Sequence, residues 1–298
     1  MSLVIKELGI RRKEIGDIGV EIEVEGRNLP RCVKYWRNEQ DGSLKCEETA
    51  EYVLGKPYDL HGVDEALNYL DQLYNECGTV VDNSVRAGVH IHINCQALTI
   101  TQLYNYITTY LLLENLLVHW CGEFREGNLF CLRTCDAEWM LGTLKAAARD
   151  PKHQFRQRFH SDDLRYSSMN VKALGDYGSL EFRAMRGTRD LKLIYKWAET
   201  LFNLRQFACT FNKPTDIIEQ FSIGGIKSFL ERALGKNMDM FTNGVDYQKL
   251  VWQGMRNAQD VAFCTDWDAF DPEMMKIGGL DFPKYLNSKD INEPMEDV

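Results

Sequence analysis

Hydrophobic and polar residues alternate along three separate stretches of the chain. This period of two is typical of strands that have one buried and one polar face. Most of the polar positions carry glutamate, histidine or arginine, whereas a solvated face would be expected to carry Lys, Thr and Ser too. The three stretches with their polar residues are 18–25 with Glu21, Glu23 and Glu25; 89–94 with His90, His92 and Asn94; and 178–188 with Glu181 and Arg183.

Longer segments between these strands follow the period of 3.6 residues that is typical of amphipathic helices. Serine, threonine and aspartate favour helix starts, and glycine favours the left-handed conformation at helix ends. The predicted helices are 63–77 with Gly78 as its stop, a segment from a cap at Thr99 or Thr101 to about Trp120, part of 136–160, a segment that begins at Asp190, and shorter stretches after Pro214.

The alternating strands favour an antiparallel sheet, because parallel strands covered on both faces form continuous apolar runs instead. Helices then cover the apolar face and leave the polar face open. The predicted fold class is therefore α+β, with a mainly antiparallel sheet and helices on the face opposite the ionisable residues.

The composition is that of a globular protein, with 44% hydrophobic and 27% charged residues in 298. A net charge of −9 argues against general nucleic-acid binding, which needs a basic surface. The N-terminus lacks a signal peptide, and the most apolar run, 110–120, is too short to span a membrane. The charge and the short apolar run thus predict no nucleic-acid or membrane partner. Nine irregularly spaced cysteines indicate a reduced, cytoplasmic protein.

The ionisable residues on the three polar faces suit phosphoryl transfer. Side chains two residues apart on a strand lie about 7 Å apart. Glu21 and Glu23 at this spacing can hold two neighbouring Mg²⁺ or Mn²⁺ ions, and Mn²⁺ tolerates an imidazole ligand best. The planar guanidinium of Arg183 binds phosphate oxygens bidentately. Metals would neutralise phosphate charge and the arginine would stabilise the transferred group.

Each pair alone also has an ordinary structural explanation: a solvated sheet face, a structural histidine pair or a cross-strand ion pair. Their occurrence on three strands favours a site. Cupin, metallo-β-lactamase and zincin patterns are not matched, and neither GxxxxGK[ST] nor GxGxxG occurs. Cys131 and Cys135 have no second pair nearby, which disfavours a zinc ribbon.

At four blocks the chain resembles the amidoligase family, a branch of the carboxylate–amine ligases that includes glutamine synthetase and glutamate–cysteine ligase. The order and spacing of the blocks make the resemblance specific, over roughly residues 15–205. A phage origin is compatible with it, in which case the compartment is the host cytoplasm. The blocks are GVEIEVEG (19–26), DGSLKCEETAEYV (41–53), AGVHIHIN (87–94) and RYSSMN…GSLEFRAMRGT (165–188).

The resemblance implies a curved antiparallel sheet whose concave face, like that of glutamine synthetase, holds ATP and two or more divalent ions. It implies a catalytic domain over 1–210, and the helical stretches after Pro214 predict a helical extension over 211–298 that has no counterpart in the family pattern. Glu48 is an alternative to Glu51 as the metal-binding glutamate that follows the turn DGS (41–43). The implied roles are metal ligands Glu21, Glu23, Glu51, His90 and Glu181; catalytic residues Arg183, Glu181 and Glu51; and nucleotide- or substrate-binding residues His92, Arg183, Arg165, Tyr166 and Asn170.

The expected activity is ATP-dependent joining of a small-molecule or peptide carboxylate to an amine through an acyl phosphate, with Mg²⁺ or Mn²⁺. The alternatives are a phosphotransferase similar to guanidino kinases, and a non-catalytic module that binds nucleotide or peptide. One segment departs from the family pattern: the connection EYVLGKP (51–57) is longer than usual.

Overall fold

The structure is a computed structural model that describes residues 3–11, 13–32, 34–40, 42–150, 155, 157–159 and 162–270. The sequence predicts that the last dozen residues, which are polar and acidic, fray, and these residues lie outside the described range. Within it, seven strands form one curved, open antiparallel sheet in the order β2-β3-β1-β5-β7-β6, and β4 pairs with the end of β1. The strands are β1 Ile18–Arg27, β2 Trp36–Glu39, β3 Thr49–Leu54, β4 Val80–Val81, β5 Gly88–Asn94, β6 Met169–Asn170 and β7 Ser179–Arg186.

The longer described helices follow the predicted segments closely, whereas the short helices Val4–Leu8 and Ala173–Tyr177 were not predicted. Short 3₁₀ turns connect several of the helices. The helices are α1 Val4–Leu8, α2 Leu60–Cys77, α3 Ile100–Cys121, α4 Glu138–Arg149, α5 Ala173–Tyr177, α6 Leu191–Ala208, α7 Pro214–Leu234 with a break at Gly225, α8 Met238–Thr242 and α9 Tyr247–Ala262. The 3₁₀ turns are Glu123–Arg125, Thr134–Asp136, Asp162–Tyr166, Gly235–Asn237 and Trp267–Phe270.

The helix boundaries have local causes. The side chain of Asp59 accepts a hydrogen bond from the Gly62 amide, so α2 begins three residues before the predicted start. Thr99, rather than Thr101, caps α3 and forms a reciprocal capping box with Gln102. The side chain of Asp190 accepts from two amides at the start of α6, as predicted.

Helices α2, α3 and α6 cover one face of the sheet, and this confirms the α+β class. Ile22, Ile91 and Phe182 of the three central strands are fully buried on that face. The Phe182 ring lies 4.8 Å from the ring of Tyr110 on α3. Apolar burial on one face therefore fixes which side chains remain on the other.

Helix α9 lies against α3, which is itself buried along almost its whole length. A Cβ atom on Gly254 would lie only 2.5 Å from the carbonyl oxygens of Leu111 and Leu112. The close approach of the two backbones requires a glycine there. The described part of the region after residue 210 is helical, and no helix among the described residues has the length and apolarity needed to cross a bilayer.

Glu114 is a carboxyl group in the middle of this core, on α3. It accepts hydrogen bonds from the amide and hydroxyl of Thr134 and from the hydroxyl of Ser168. Burial raises the pKa of Glu114 to about 7, although these hydrogen bonds oppose the rise. Because this pKa lies above that of an exposed glutamate, the stabilising effect of protonated Glu114 is lost as pH rises through about 7.

Replacing Glu114 with Gln should therefore remove a pH-dependent loss of stability. We expect the free energy of unfolding of the native protein to fall relative to Glu114→Gln between pH 5 and pH 8.5, by on the order of 3 kcal/mol. Denaturant unfolding across this pH range measures the difference. The exposed Glu76→Gln variant is the control and should differ from the native protein by a constant amount. A constant difference for Glu114→Gln would contradict the prediction.

Candidate active site

Strand register brings the predicted site residues onto one face of the sheet. Glu21 of β1 lies opposite His90 of β5, and His92 lies opposite Glu181 of β7. Glu51 of β3 lies opposite Glu23 of β1. Directly opposed residues of antiparallel strands point to the same face. Residues far apart in the chain thus meet on the face that the helices leave open.

His90 lies between three carboxylates. Its Nδ1 atom is 3.2 Å from Glu21 Oε2 and 3.5 Å from Glu181 Oε1, while Nε2 is 3.7 Å from Glu23 Oε1. His92 Nε2 lies 3.2 Å from the other oxygen of Glu21. We call these five residues, Glu21, Glu23, His90, His92 and Glu181, the acidic cluster.

Glu181 is fixed from two sides. Asn170 of β6 donates a hydrogen bond to Oε2 at 2.5 Å, and Arg183 donates to Oε1. Asn170 stands directly opposite Glu181 in the register. The predicted catalytic pair of Glu181 and Arg183 is thus in direct contact, and Asn170 orients the carboxylate.

The charges of the acidic cluster shift its pKa values. Burial alone would raise the pKa of Glu21, but His92 and His90 outweigh it and hold that pKa well below its usual range. Burial likewise opposes ionisation of Glu181, whose pKa Arg183 and the two histidines lower. Burial would lower the pKa of His92, yet the charges of Glu181 and Glu21 raise it. The cluster therefore favours ionised carboxylates beside a cation.

The acidic cluster fits a divalent ion. Glu21, His92 and Glu181 can each offer one ligand atom, and these atoms all lie within 4.8 Å of one another. Two carboxylate oxygens and one imidazole suit Mn²⁺, and carboxylates suit Mg²⁺. The geometric set contains His92, whereas the resemblance assigns the ligand role to His90. Both histidines contact Glu21, so the structure brings each within reach of a shared ion.

The two glutamates after the DGS turn have different positions. Glu48 accepts hydrogen bonds from the backbone amides of Asn28 and Leu29, at 3.0 and 2.5 Å. It therefore holds the end of β1 to the start of β3. Glu51 instead belongs to the open face, opposite Glu23. The structure thus favours Glu51 for the role that the sequence left between the two.

Arg165 and Tyr166 lie beside β6, in a 3₁₀ turn. Arg165 Nη2 donates to the Tyr166 hydroxyl at 2.7 Å, and the guanidinium sits 4.9 Å from the centre of the ring. Among the described residues, neither side chain forms a hydrogen bond or ion pair with the acidic cluster. Their role in binding nucleotide or substrate stays a prediction.

Sequence patterns missed Arg125 in this region and did not indicate the role of Glu25. Arg125 is fully buried beside β7, where it bonds to backbone carbonyls of the strand, and its position in a 3₁₀ turn gives no periodic signal. Glu25 continues the Glu21 and Glu23 alternation, but its carboxylate accepts from the Lys45 amide at 2.8 Å. Glu25 therefore holds the loop before β3, a contact that alternation alone cannot distinguish from metal ligation.

A pocket of about 280 Å³ opens beside the acidic cluster, and Glu21 and His92 belong to its wall. Arg37 of β2 and Lys56, after β3, also line it. Tyr177 lies at the same wall and packs edge-to-face on His92, with ring centres 6.1 Å apart. The pocket therefore places positive and aromatic side chains within reach of the candidate ion site.

Comparison with known families identifies the chain. The family model described as "Putative amidoligase enzyme" matches residues 36–206. The chain belongs to the amidoligase family. No curated protein gives a match. The matched part of this amidoligase includes Glu51, both histidines of β5, Glu181 and Arg183, whereas Glu21 and Glu23 precede it. Family membership supports a ligase activity.

The raised pKa of His92 predicts how metal binding by this amidoligase depends on pH. An ion must displace the imidazole proton, so Mn²⁺ affinity should rise with pH, by up to about tenfold per unit for that proton. Calorimetric titration with MnCl₂ from pH 6 to pH 8.5 measures this slope. His92→Gln should flatten it, while His61→Gln, an exposed histidine on α2, should not. If Mn²⁺ affinity depended on pH equally in all three proteins, His92 would not be a metal ligand.

Glu51 and Glu48 offer a matched pair of variants. Because Glu51 faces Glu23, Glu51→Gln should weaken Mn²⁺ binding by about tenfold or more. Glu48→Gln should leave the affinity within about twofold, since Glu48 bonds to backbone amides. The same titration at pH 8 compares them. A larger loss of Mn²⁺ affinity in Glu48→Gln than in Glu51→Gln would assign the role of metal ligand to Glu48 instead.

Proposed function

We propose that this amidoligase is an ATP-dependent ligase that joins a carboxylate to an amine through an acyl phosphate. The observation that carries the proposal is the acidic cluster, with Arg183 bound to one of its carboxylates. Carboxylates arranged around a candidate cation site, beside a guanidinium, suit the stabilisation of a polyphosphate.

Glu21, His92 and Glu181 are the residues that would hold the first divalent ion. Glu23, Glu51 and His90 lie next to them on the same face and are the candidates for a second. Bound Mg²⁺ or Mn²⁺ would supply neutralisation of the phosphate charge. The protein contributes by fixing the ligand carboxylates, as Asn170 does for Glu181.

Arg183 is the residue that would stabilise the transferred phosphoryl group. Its side chain is 20% exposed, so its end can reach a ligand while Glu181 orients it. Its Nε atom is buried without a hydrogen-bond partner among the described residues. A planar guanidinium held in this way can present its remaining N–H groups to phosphate oxygens.

The proposed reaction has two steps. A carboxylate oxygen of the first substrate attacks the γ-phosphorus of ATP, and the bond to the ADP oxygen breaks. The amine nitrogen then attacks the acyl carbon, phosphate leaves with the bonding electrons, and the nitrogen loses a proton. No side chain becomes covalently modified, so the scheme needs none of the nine cysteines.

The pocket beside Glu21 and His92 is our candidate site for the organic substrate. Lys56 and Arg37 can attract a carboxylate, and the pocket volume of about 280 Å³ admits a small molecule or the end of a peptide. Lys56 belongs to the connection that is longer than the family pattern. Selectivity among carboxylates is therefore proposed to reside partly in this segment.

The activity is tested by mixing the protein with ATP, MgCl₂ and panels of amino acids, dipeptides and polyamines, and by following ADP release. Arg183→Ala should lower turnover by about 10³-fold or more, since it removes the charge that faces the phosphoryl group. Glu181→Gln should also lower turnover, because it removes a proposed ion ligand. Arg189→Ala serves as the control, because this half-buried arginine bonds to Asn75 and Asp71 of α2 rather than to the acidic cluster.

Mass spectrometry of the products separates ligation from phosphotransfer. The proposal requires a condensed product that appears only when the amine is present. A stable phosphorylated product that forms without amine would favour the phosphotransferase alternative. Undiminished turnover of Arg183→Ala would refute the role of that residue.

A further inference from the structure

Strand β7 contains a bulge at the acidic cluster. Val89 pairs with Met185 and Ile91 pairs with Phe182, so two residues of β7, Arg183 and Ala184, stand opposite the single residue His90. An extra residue of this kind interrupts the hydrogen-bond ladder of the sheet and re-aims the side chains next to it. Here the re-aimed side chain is that of Arg183.

One guanidinium occupies the interrupted part of the ladder. Arg125 Nη2 donates to the Arg183 carbonyl at 2.7 Å, and Arg125 Nε donates to the Ala184 carbonyl at 2.9 Å. On the other edge of β7, the Arg183 amide donates to the Ser168 carbonyl at 2.8 Å. The backbone of the bulge is therefore held from both sides, and Arg125 supplies the contacts that β5 cannot.

The turn that carries Arg125 is itself fixed to β7. Gly122 ends α3 with a φ of 120°, a conformation that glycine adopts easily, and the chain reverses there towards the sheet. Arg186 of β7 donates to the Cys121 carbonyl at 3.2 Å. A Cβ atom on Gly122 would lie 2.9 Å from Arg186 Nη1, so a larger residue there would displace the end of the Arg186 side chain.

Arg125 also reaches the acidic cluster. A Cβ atom on Gly88 would lie 3.2 Å from Arg125 Nη2, 3.2 Å from His90 Nε2 and 3.4 Å from Glu23 Oε2. These three groups thus converge on the space that Gly88 leaves empty, and Glu23 also accepts from the Gly88 amide at 2.8 Å. With 1% exposure, Arg125 cannot take part as a ligand-binding residue from solvent.

We propose that Arg125 is a positioning residue of the active site: it holds the bulge of β7 in the register that aims Arg183 at Glu181. A buried guanidinium is costly to desolvate, and here its Nε and Nη2 donors meet carbonyls that the bulge leaves outside the regular ladder. Without Arg125, the bulge can shift by one residue along β7, and Arg183, the residue that the bulge then passes, loses the orientation that aims it at Glu181.

Backbone exchange tests the inference without any nucleotide. Arg125→Met keeps the length and apolar part of the side chain but loses both hydrogen bonds. Hydrogen–deuterium exchange should become faster in the peptide that covers residues 179–188, at concentrations where circular dichroism shows a folded protein. Arg125→Lys keeps the charge and one donor group, and should restore part of the protection.

Arg205→Met is the matched control for exchange. Arg205 is equally buried, at 1% exposure, and its guanidinium bonds to the Asn94 carbonyl and to Asp17, away from the bulge. This variant should lose stability but leave the exchange of β7 around Arg183 unchanged. Native-like exchange of that peptide in Arg125→Met, or equal acceleration in both variants, would overturn the inference.

A double-mutant cycle then asks whether Arg125 acts through Arg183. The inference rests on the proposed function here, because the probe is the magnesium complex of a non-hydrolysable ATP analogue, measured by calorimetry. Arg125→Met should weaken binding by about 10- to 100-fold in the native background. In the Arg183→Ala background it should weaken binding by less than about threefold, because the side chain that it aims is gone.

The two experiments fail in distinguishable ways. Additive losses in the cycle would show that Arg125 acts independently of Arg183 and would overturn the inference. Absence of analogue binding by the native protein would refute the proposed function, while the exchange comparison would still decide whether Arg125 holds the bulge.

Discussion

The pairing register of β1, β5 and β7 is the constraint on which the rest of the structure depends. Because side chains alternate between the two faces of a strand, a slip of one residue would exchange the apolar and ionisable sets. Burial of Ile22, Ile91 and Phe182 beneath the helices opposes such a slip. The same apolar contacts that stabilise the fold therefore also position the acidic cluster.

Glutamates that converge on one face need positive charge nearby. In this structure Arg183 and His92, whose pKa is raised, supply it, and each contacts at least one carboxylate. Such an arrangement resists neutralisation of Glu21 and Glu181, whose pKa values are lowered despite burial. The protein thus keeps anionic oxygens ready for cations, in a region where carboxylic acids would otherwise be favoured.

The sequence alone predicts strands and helices where a pattern of apolar and polar residues repeats. The strands around Glu21, His90 and Glu181 were predictable because several residues alternate, and the long helices because their apolar positions recur. Strands β4 and β6 have only two residues each and offer no period to detect. The register of β3 distinguishes Glu51 from Glu48, and a reciprocal hydrogen bond with Gln102 distinguishes Thr99 from Thr101 as the helix cap. A single sequence displays neither the register nor the hydrogen bond.

The acidic cluster lies partly inside and partly outside the region that the family model matches. The family match begins at residue 36, after β1, yet Glu21 of β1 contacts both histidines of β5. The contacts of Glu21 therefore link β1 to the region that the family model matches. Conversely, Lys56 lies in the segment that departs from the family pattern, and it lines the pocket rather than the cluster. The proposed function assigns the reaction to the central strands and substrate recognition to the connections at their ends, a division that lets a fold change its substrate while keeping its reaction.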